Sequence, residues 1–405
     1  MDAELLSYIR NRQTDIVQCC ARLIQTPSVN GVHDEVIIAE AVAEQARQLG
    51  LHAQIIGKDP KRPNVLVSTA ETGPTGLLLL GHLDTVPAGD ESLWTYPPFA
   101  GTVADGKLYG RGAIDTKGGM TACLYALAAL KHTPGALTNG RAQLLCFPDE
   151  ESGATGILGI IFLHDQGLLH GLGAIYAYSG HDIILGHRGL VRYRLRCNGQ
   201  MIHTGAPAWQ EGTSGANAVT GMAALLLALE QIKTPHSSAK YFEAFKTVIT
   251  PGTVIQGGVN VNVVPASCEA LVDIRLTPEY DLARIEGLLK QCVDQVAAIK
   301  PRLTFTHELL SYIPAAISDE KAAIFSTVEQ VITELKGYTP PRTVAGPANE
   351  GYLMIERGIP TVCGLGPTGA NAHAADEYAD IQGLVDAASI FALTAVRMDR
   401  LLSNN

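Results

Sequence analysis

The sequence predicts an α/β fold, a mixed sheet flanked by helices, with a smaller α+β unit inserted into it. Three observations lead there. Strand-like apolar runs alternate with helical periods through the first part of the chain, the pattern of helices laid on the faces of a sheet. The run Leu77-Leu78-Leu79-Leu80 is continuously apolar, as in a parallel strand buried on both faces. After Gly189 the pattern changes: Leu190-Val191-Arg192-Tyr193-Arg194-Leu195-Arg196-Cys197 alternates, as a half-exposed antiparallel strand does. A length of 405 residues also favours two domains over one.

In order along the chain, a helix is expected over 3–25, a turn at Thr26-Pro27-Ser28 and a helix over 33–49 that Gly50 ends as a C-cap. Strands follow at 51–56, 64–69 and 76–83, then a Gly-rich loop, helix 118–131, strand 142–147 and helix 154–166. The second unit reads strand 190–197, helix 215–232, strands 251–258 and 268–276, helix 278–299 and strand 302–307. That strand–helix–strand–strand–helix–strand order is of ferredoxin type. From about 309 the chain returns to helix 318–336 and to short strand–loop units ending at Glu377. The expected division is 1–188, 189–308 and 309–405, the outer two segments forming one domain.

Composition narrows the function classes. Hydrophobic residues make up 46% and charged residues 17%, the balance of a well-buried globular protein. A formal charge of −10 without a basic block excludes nucleic acid as an expected partner. No apolar run in the sequence has the length of a membrane span, and the mixed N-terminal segment lacks a signal-peptide core, so a cytoplasmic location is expected. Of the eight cysteines six are scattered and Cys19 and Cys20 are adjacent; without a CxxC pattern, they read as reduced, mostly buried thiols.

The chemistry-bearing residues stand just past the apolar runs. In open α/β sheets ligands bind at the carboxyl ends of strands. His82 and Asp84 follow the leucine run, and residues two apart in an extended segment point the same way. Tyr109-Gly110-Arg111-Gly112-Ala113-Ile114-Asp115 is a Gly-rich turn with one acid, leading into an apolar helix. Strand 142–147 ends in Pro148-Asp149-Glu150-Glu151. Gly364-Leu365-Gly366-Pro367 leads to Asn371-Ala372-His373 and then Asp376-Glu377. Imidazoles and carboxylates together make an N/O ligand set suited to zinc and its neighbours.

These four blocks, in this order, resemble the dinuclear metallohydrolases of the M20 peptidase family, whose members include acetylornithine deacetylase, succinyl-diaminopimelate desuccinylase, aminoacylase and carboxypeptidase-type enzymes. The resemblance spans about Thr26 to Asp380. It implies a zinc-exopeptidase-like catalytic domain in two pieces and an inserted lid that carries a dimer interface. It also implies two zinc ions per chain, with cobalt as an alternative, and hydrolysis of an amide bond in an N-acyl amino acid or small peptide.

Residue by residue, the resemblance makes His82 a ligand of the first metal, Asp84 the carboxylate that orients it, and Asp115 the bridge between two cations. Glu151 and His373 complete the second metal, and Glu150 is the general base that takes a proton from a metal-activated water. The remaining ligand of the first metal is sought at Ser179-Gly180-His181-Asp182, where Asp182 is the nearest carboxylate and His181 is also suitable. In the inserted unit His203 is an oxyanion donor, Asn262 a further lid residue and Arg275 a fork for a substrate carboxylate. The rival from another class is a non-catalytic small-molecule-binding protein on the same fold with an incomplete metal site.

Two motifs are set aside. Gly101-Thr102-Val103-Ala104-Asp105-Gly106-Lys107-Leu108 lacks the hydroxyl residue of a P-loop, and Asp105-Gly106 reads as a hairpin turn. Ser152 has no nucleophile elbow around it.

Overall fold

A computed structural model describes residues 1–403, and the chain divides into two compact units. The first comprises Met1–His187, Ile317–Ala345 and Asn349–Asn405; the second comprises Arg188–Ala316 and Gly346–Ala348.

The first unit is built on a six-stranded sheet, in spatial order His52–Ile56, Asn64–Ser68, Arg141–Phe147, Thr75–His82, Gly173–Tyr176 and Thr361–Val362. Asn64–Ser68 pairs antiparallel with both of its neighbours and the remaining pairings are parallel, so the sheet is mixed. Thr75–His82 lies at its centre, and all eight of its residues are buried. Covering both faces of a strand requires apolar side chains pointing both ways, which the leucine run supplies. Helices Lys117–His132 and Ile381–Leu402 pack on each other and on this strand. Gly119 permits the approach: a Cβ there would lie 2.1 Å from the carbonyl oxygen of Ala177.

A small four-stranded sheet, Gly369–Ala370, Tyr378–Asp380, Lys107–Tyr109 and Thr102–Ala104, joins the Gly-rich loop to the C-terminal segment. Asp105 and Gly106, with φ of 49° and 74°, form the tight turn between two of its strands, which is a hairpin turn and not a phosphate loop. Pairing of Tyr378 with Tyr109 places the residues before each strand end side by side.

The second unit is an antiparallel sheet in the order Val248–Gly257, Ser267–Leu276, Gly189–Asn198, Thr304–Ile313. Helices Ala218–Glu230 and Leu282–Ile299 pack together and against it. Tyr193, Leu195, Met222, Leu225, Ile274 and Leu289 form its core. The alternating burial of Ser267–Leu276 is that of a strand with one covered face.

Two expectations need correction. The helix expected over 3–25 is two helices, Asp2–Arg10 and Gln13–Ile24. The one expected over 154–166 is only Ile160–Asp165, because Ala154 and Gly156 take left-handed φ of 51° and 65° that no helix continues through. Beyond the short strands that reach Asp380, where the sequence points to no element, Ile381–Leu402 is a 22-residue helix. Among the described residues it is long and apolar enough to cross a membrane, yet 78% of its apolar window is buried inside the protein, as in a core helix.

Candidate metal centre

Strand ends and two loops of the first unit bring the predicted residues together. His82 is the last residue of the central strand and has no exposed surface. Its Nδ1 stands 2.9 Å from the Asp84 carbonyl oxygen and 3.4 Å from Asp84 Oδ1. A carbonyl only accepts, so Nδ1 carries the proton and Nε2 presents its other face to Asp115 Oδ1, 2.9 Å away. The second oxygen, Asp115 Oδ2, lies 3.1 Å from His373 Nε2, which is also 3.1 Å from Glu151 Oε1. Ligand atoms of His82, Asp115 and Glu151 all lie within 4.8 Å of one another.

Asp84 is fully buried and organises the neighbouring turn. It accepts from Asn30 Nδ2 at 2.6 Å, from the Glu150 amide at 3.3 Å and from the Glu151 amide at 3.0 Å. Asp149 precedes them with a left-handed φ of 81°, and the two glutamates splay apart. Glu151 reaches His373, while Glu150 Oε1 accepts from the Tyr178 hydroxyl at 3.0 Å.

The electrostatics follow from packing. Burial pushes Glu150 up to about 8, with Glu151, Asp115 and Asp84 adding repulsion and His82 opposing it. Hydrogen bonds to Asp115 and Glu151 raise His373 to about 10. Burial works against a charged His82, but its bonds to Asp115 and Asp84 outweigh that and hold it well above its usual range. Burial likewise opposes ionisation of Asp115, yet bonds from His373 and His82 hold it below the usual carboxylate range. Imidazole nitrogens aimed at carboxylate oxygens require positive charge between them. A metal ion could supply it.

The family model of peptidase family M20/M25/M40 matches residues 78–397, well over half of the chain. This chain belongs to the M20 peptidase family. A succinyl-diaminopimelate desuccinylase of Methylobacterium radiotolerans is 28% identical over 341 residues, covering 82% of this chain and 83% of that protein. In fold the chain matches the di-peptidase Dug1p of Saccharomyces cerevisiae, with a TM-score of 0.80 at 17% identity over 99% of both chains. It also matches the M20 metallo-carboxypeptidase Sso-CP2 of Sulfolobus solfataricus, with a TM-score of 0.78 at 18% identity over 95% of this chain and 99% of that one. As an M20 member the protein is a hydrolase that acts on amide bonds and depends on metal.

Not every residue expected of the M20 site joins the cluster. Asp182 is exposed, and His181 is buried with Nδ1 3.4 Å from the Tyr338 hydroxyl and with Lys336 and Asp386 as charged neighbours. The reason is local. At Gly180 the chain turns with φ of 76° and bonds to Pro367 and Gly366, which carries the next residues toward the end of helix Ala323–Lys336. What sequence reasoning missed is Tyr178. It follows the strand beside the central one, where the Ala177 amide donates to the Leu80 carbonyl at 2.8 Å, and its ring lies 5.9 Å from that of His82. Its position just past an apolar run was the available signal.

The remaining candidates lie in the second unit. His203 and Asn262 meet there: strand Ile202–His203 pairs with Val263–Val264, and Thr204 donates twice to the Asn262 carbonyl. His203 is exposed, its Nδ1 accepting from the Gly205 amide at 3.0 Å. Arg275 sits on the larger sheet, where its Nε donates to Asp273 Oδ2 at 2.8 Å and Arg192 takes the other oxygen at 3.0 Å.

Proposed function

We propose that the protein hydrolyses an N-acyl amino acid or small peptide with Glu150 as general base at a two-metal centre. The observation that carries this reading is the divergence of the two glutamates. Glu151 turns to the cluster with His373, and Glu150 stands beside it, buried and held by Tyr178.

The residues fit a pair of divalent cations of zinc or cobalt type. His82 and Asp115 would hold one, and Asp115, Glu151 and His373 the other, with Asp115 offering one oxygen to each side. When bound, such metals ease deprotonation of water at neutral pH and polarise a carbonyl. Asp84 fixes the tautomer of His82, so that Nε2 faces inward. Glu150, standing beside the cluster, accepts a proton from the attacking water and returns it to the leaving amine. Its Tyr178 bond leaves the second oxygen, Oε2, for that exchange. His203 is assigned to the oxyanion and Asn262 to the lid around it, and Arg275 is assigned to a substrate carboxylate through its unused guanidinium nitrogens.

Exposed Val254, Ile255, Val259 and Val261 support a homodimer through the second unit. Eight free, buried cysteines support a reducing, cytoplasmic setting. The desuccinylase, di-peptidase and carboxypeptidase relatives set the substrate range to test. Metal-stripped protein reconstituted with zinc or cobalt should take up about two equivalents and release amine from some member of a panel of N-succinyl and N-acetyl amino acids and dipeptides. A fully loaded protein that cleaves none of them would refute the reading.

A further inference from the structure

Arg111 and Glu377 form a fully buried ion pair that touches no candidate ligand side chain, and the hydrolytic steps make no use of it. We propose that this pair is a brace that sets the geometry of the metal centre, with Arg111 and Glu377 as positioning residues; the proposal rests on the metal reading above.

The contacts reach three of the four segments that carry ligands, those of His82, Asp115 and His373. Glu377 Oε1 accepts from the Ile114 amide at 3.0 Å and the Asp115 amide at 3.1 Å, while Oε2 pairs with Arg111 Nη1. Arg111 Nη2 donates to Pro87 O and Ala374 O, each at 3.3 Å. Pro87 closes the segment that begins with His82 and Asp84, and Ala374 follows His373. One ion pair therefore holds the backbone of the His82–Pro87 segment, of Asp115 and of His373. The backbone is locked a second time where the Gly110 amide donates to the Glu377 carbonyl at 2.9 Å. The Arg111 guanidinium lies 5.2 Å from the Trp94 ring centroid, which covers it.

Chemistry explains why an ion pair serves here. A buried ion pair is weak support for stability, since apolar residues of similar volume do as well. Apolar residues give no direction, however. A planar guanidinium gives several fixed donors at once, and a carboxylate accepts from two amides while remaining paired. Asp115 must give one oxygen to the His82 side and the other to the His373 side. A small rotation of its backbone would spoil both.

Arg111→Lys and Glu377→Gln in the full-length protein test this. Lysine keeps the charge opposite Glu377 but not the reach to two carbonyls, and glutamine keeps the shape but not the charge. The measurements are zinc affinity by chelator competition, the visible absorption of the cobalt-loaded protein and the melting temperature of the metal-free protein. Each variant should bind zinc about 10–100-fold more weakly with an altered cobalt spectrum, while metal-free Arg111→Lys melts close to wild type. If Glu377→Gln does not fold, Arg111→Lys decides. Wild-type zinc affinity and cobalt spectrum in Arg111→Lys would overturn the brace. So would a metal-free Arg111→Lys that melts far below wild type, since the pair would then be purely structural. Wild-type protein that takes up neither metal would instead overturn the metal reading, and the brace with it.

Discussion

The central strand of the first unit and the sheet of the second treat polar residues in opposite ways. Thr75–His82 is buried along its whole length, so its chemistry is confined to its end, at His82. Ser267–Leu276 buries every other residue and leaves Glu269, Asp273 and Arg275 on the open face, where the two acids pair with arginines of the neighbouring strand and Arg275 pairs with Asp273. A strand with two covered faces concentrates function at a point. A strand with one covered face spreads charge over an area, where water screens each pair.

The largest test of that contrast is at the strand-end site. Glu150→Gln should keep its metal and lose about 10²–10⁴-fold in kcat, roughly 3–5 kcal/mol of transition-state stabilisation. Tyr178→Phe, which removes the bond to Glu150, should lose about tenfold in kcat, near 1.4 kcal/mol, with KM little changed. Steady-state kinetics on one cleaved substrate checks both. Wild-type kcat in Glu150→Gln would move the base elsewhere.

Glycines probe how tightly each unit is packed. Alanine gains up to about 1 kcal/mol over glycine inside a helix. At Gly287, on the second unit's helix Leu282–Ile299, an added Cβ meets nothing within 4 Å, so Gly287→Ala should stabilise the protein by that amount. At Gly119 the added carbon meets the Ala177 carbonyl, so Gly119→Ala should destabilise it by about 1–3 kcal/mol. Urea unfolding reads both, and the same sign at the two positions would erase the contrast.

Glu350 extends the test to pH. It is fully buried, no polar group among the described residues satisfies either of its carboxylate oxygens, and burial with repulsion from Glu150, Asp149 and Asp84 holds its proton affinity well above the usual range. Above the unfolded pKa, the folded state keeps a proton that the unfolded chain has lost. This group's share of stability is therefore present at low pH and fades as pH rises toward the folded pKa, by about 1.4 kcal/mol per pH unit. Glu350→Gln should flatten the decline between pH 5 and pH 8 in the metal-free protein, as followed by urea titrations. An unchanged slope would mean that Glu350 is ionised. The smallest effect belongs to the open face: Arg194→Ala, which breaks pairs with Glu308 and Glu269, should change stability by less than about 1 kcal/mol.

Features with a local physical cause were legible in the sequence. The leucine run, the acids and imidazoles just past apolar runs and the Asp105-Gly106 turn are of this kind; the roles of His82, Asp84, Asp115, Glu150, Glu151 and His373 come from the family resemblance of the blocks that hold them. Helix Ile381–Leu402 is buried nearly all round, so it shows little of the polar face that marks a surface helix. Left-handed Ala154 carries no mark in its residue type. Asp182 is the nearest carboxylate along the chain but not in space, and the Tyr178–Glu150 bond joins residues that only the completed sheet brings together.

Helix Ile381–Leu402 also bears on the order of events during synthesis. It follows them all in the chain, yet it packs on Thr75–His82, on Lys117–His132 and on helices Asp2–Arg10 and Gln13–Ile24. A growing chain therefore holds its central strand partly uncovered until this helix emerges, a state prone to association with other chains. His373 and Glu377 arrive in the same stretch. The candidate metal centre is thus completed only after the second unit has been made.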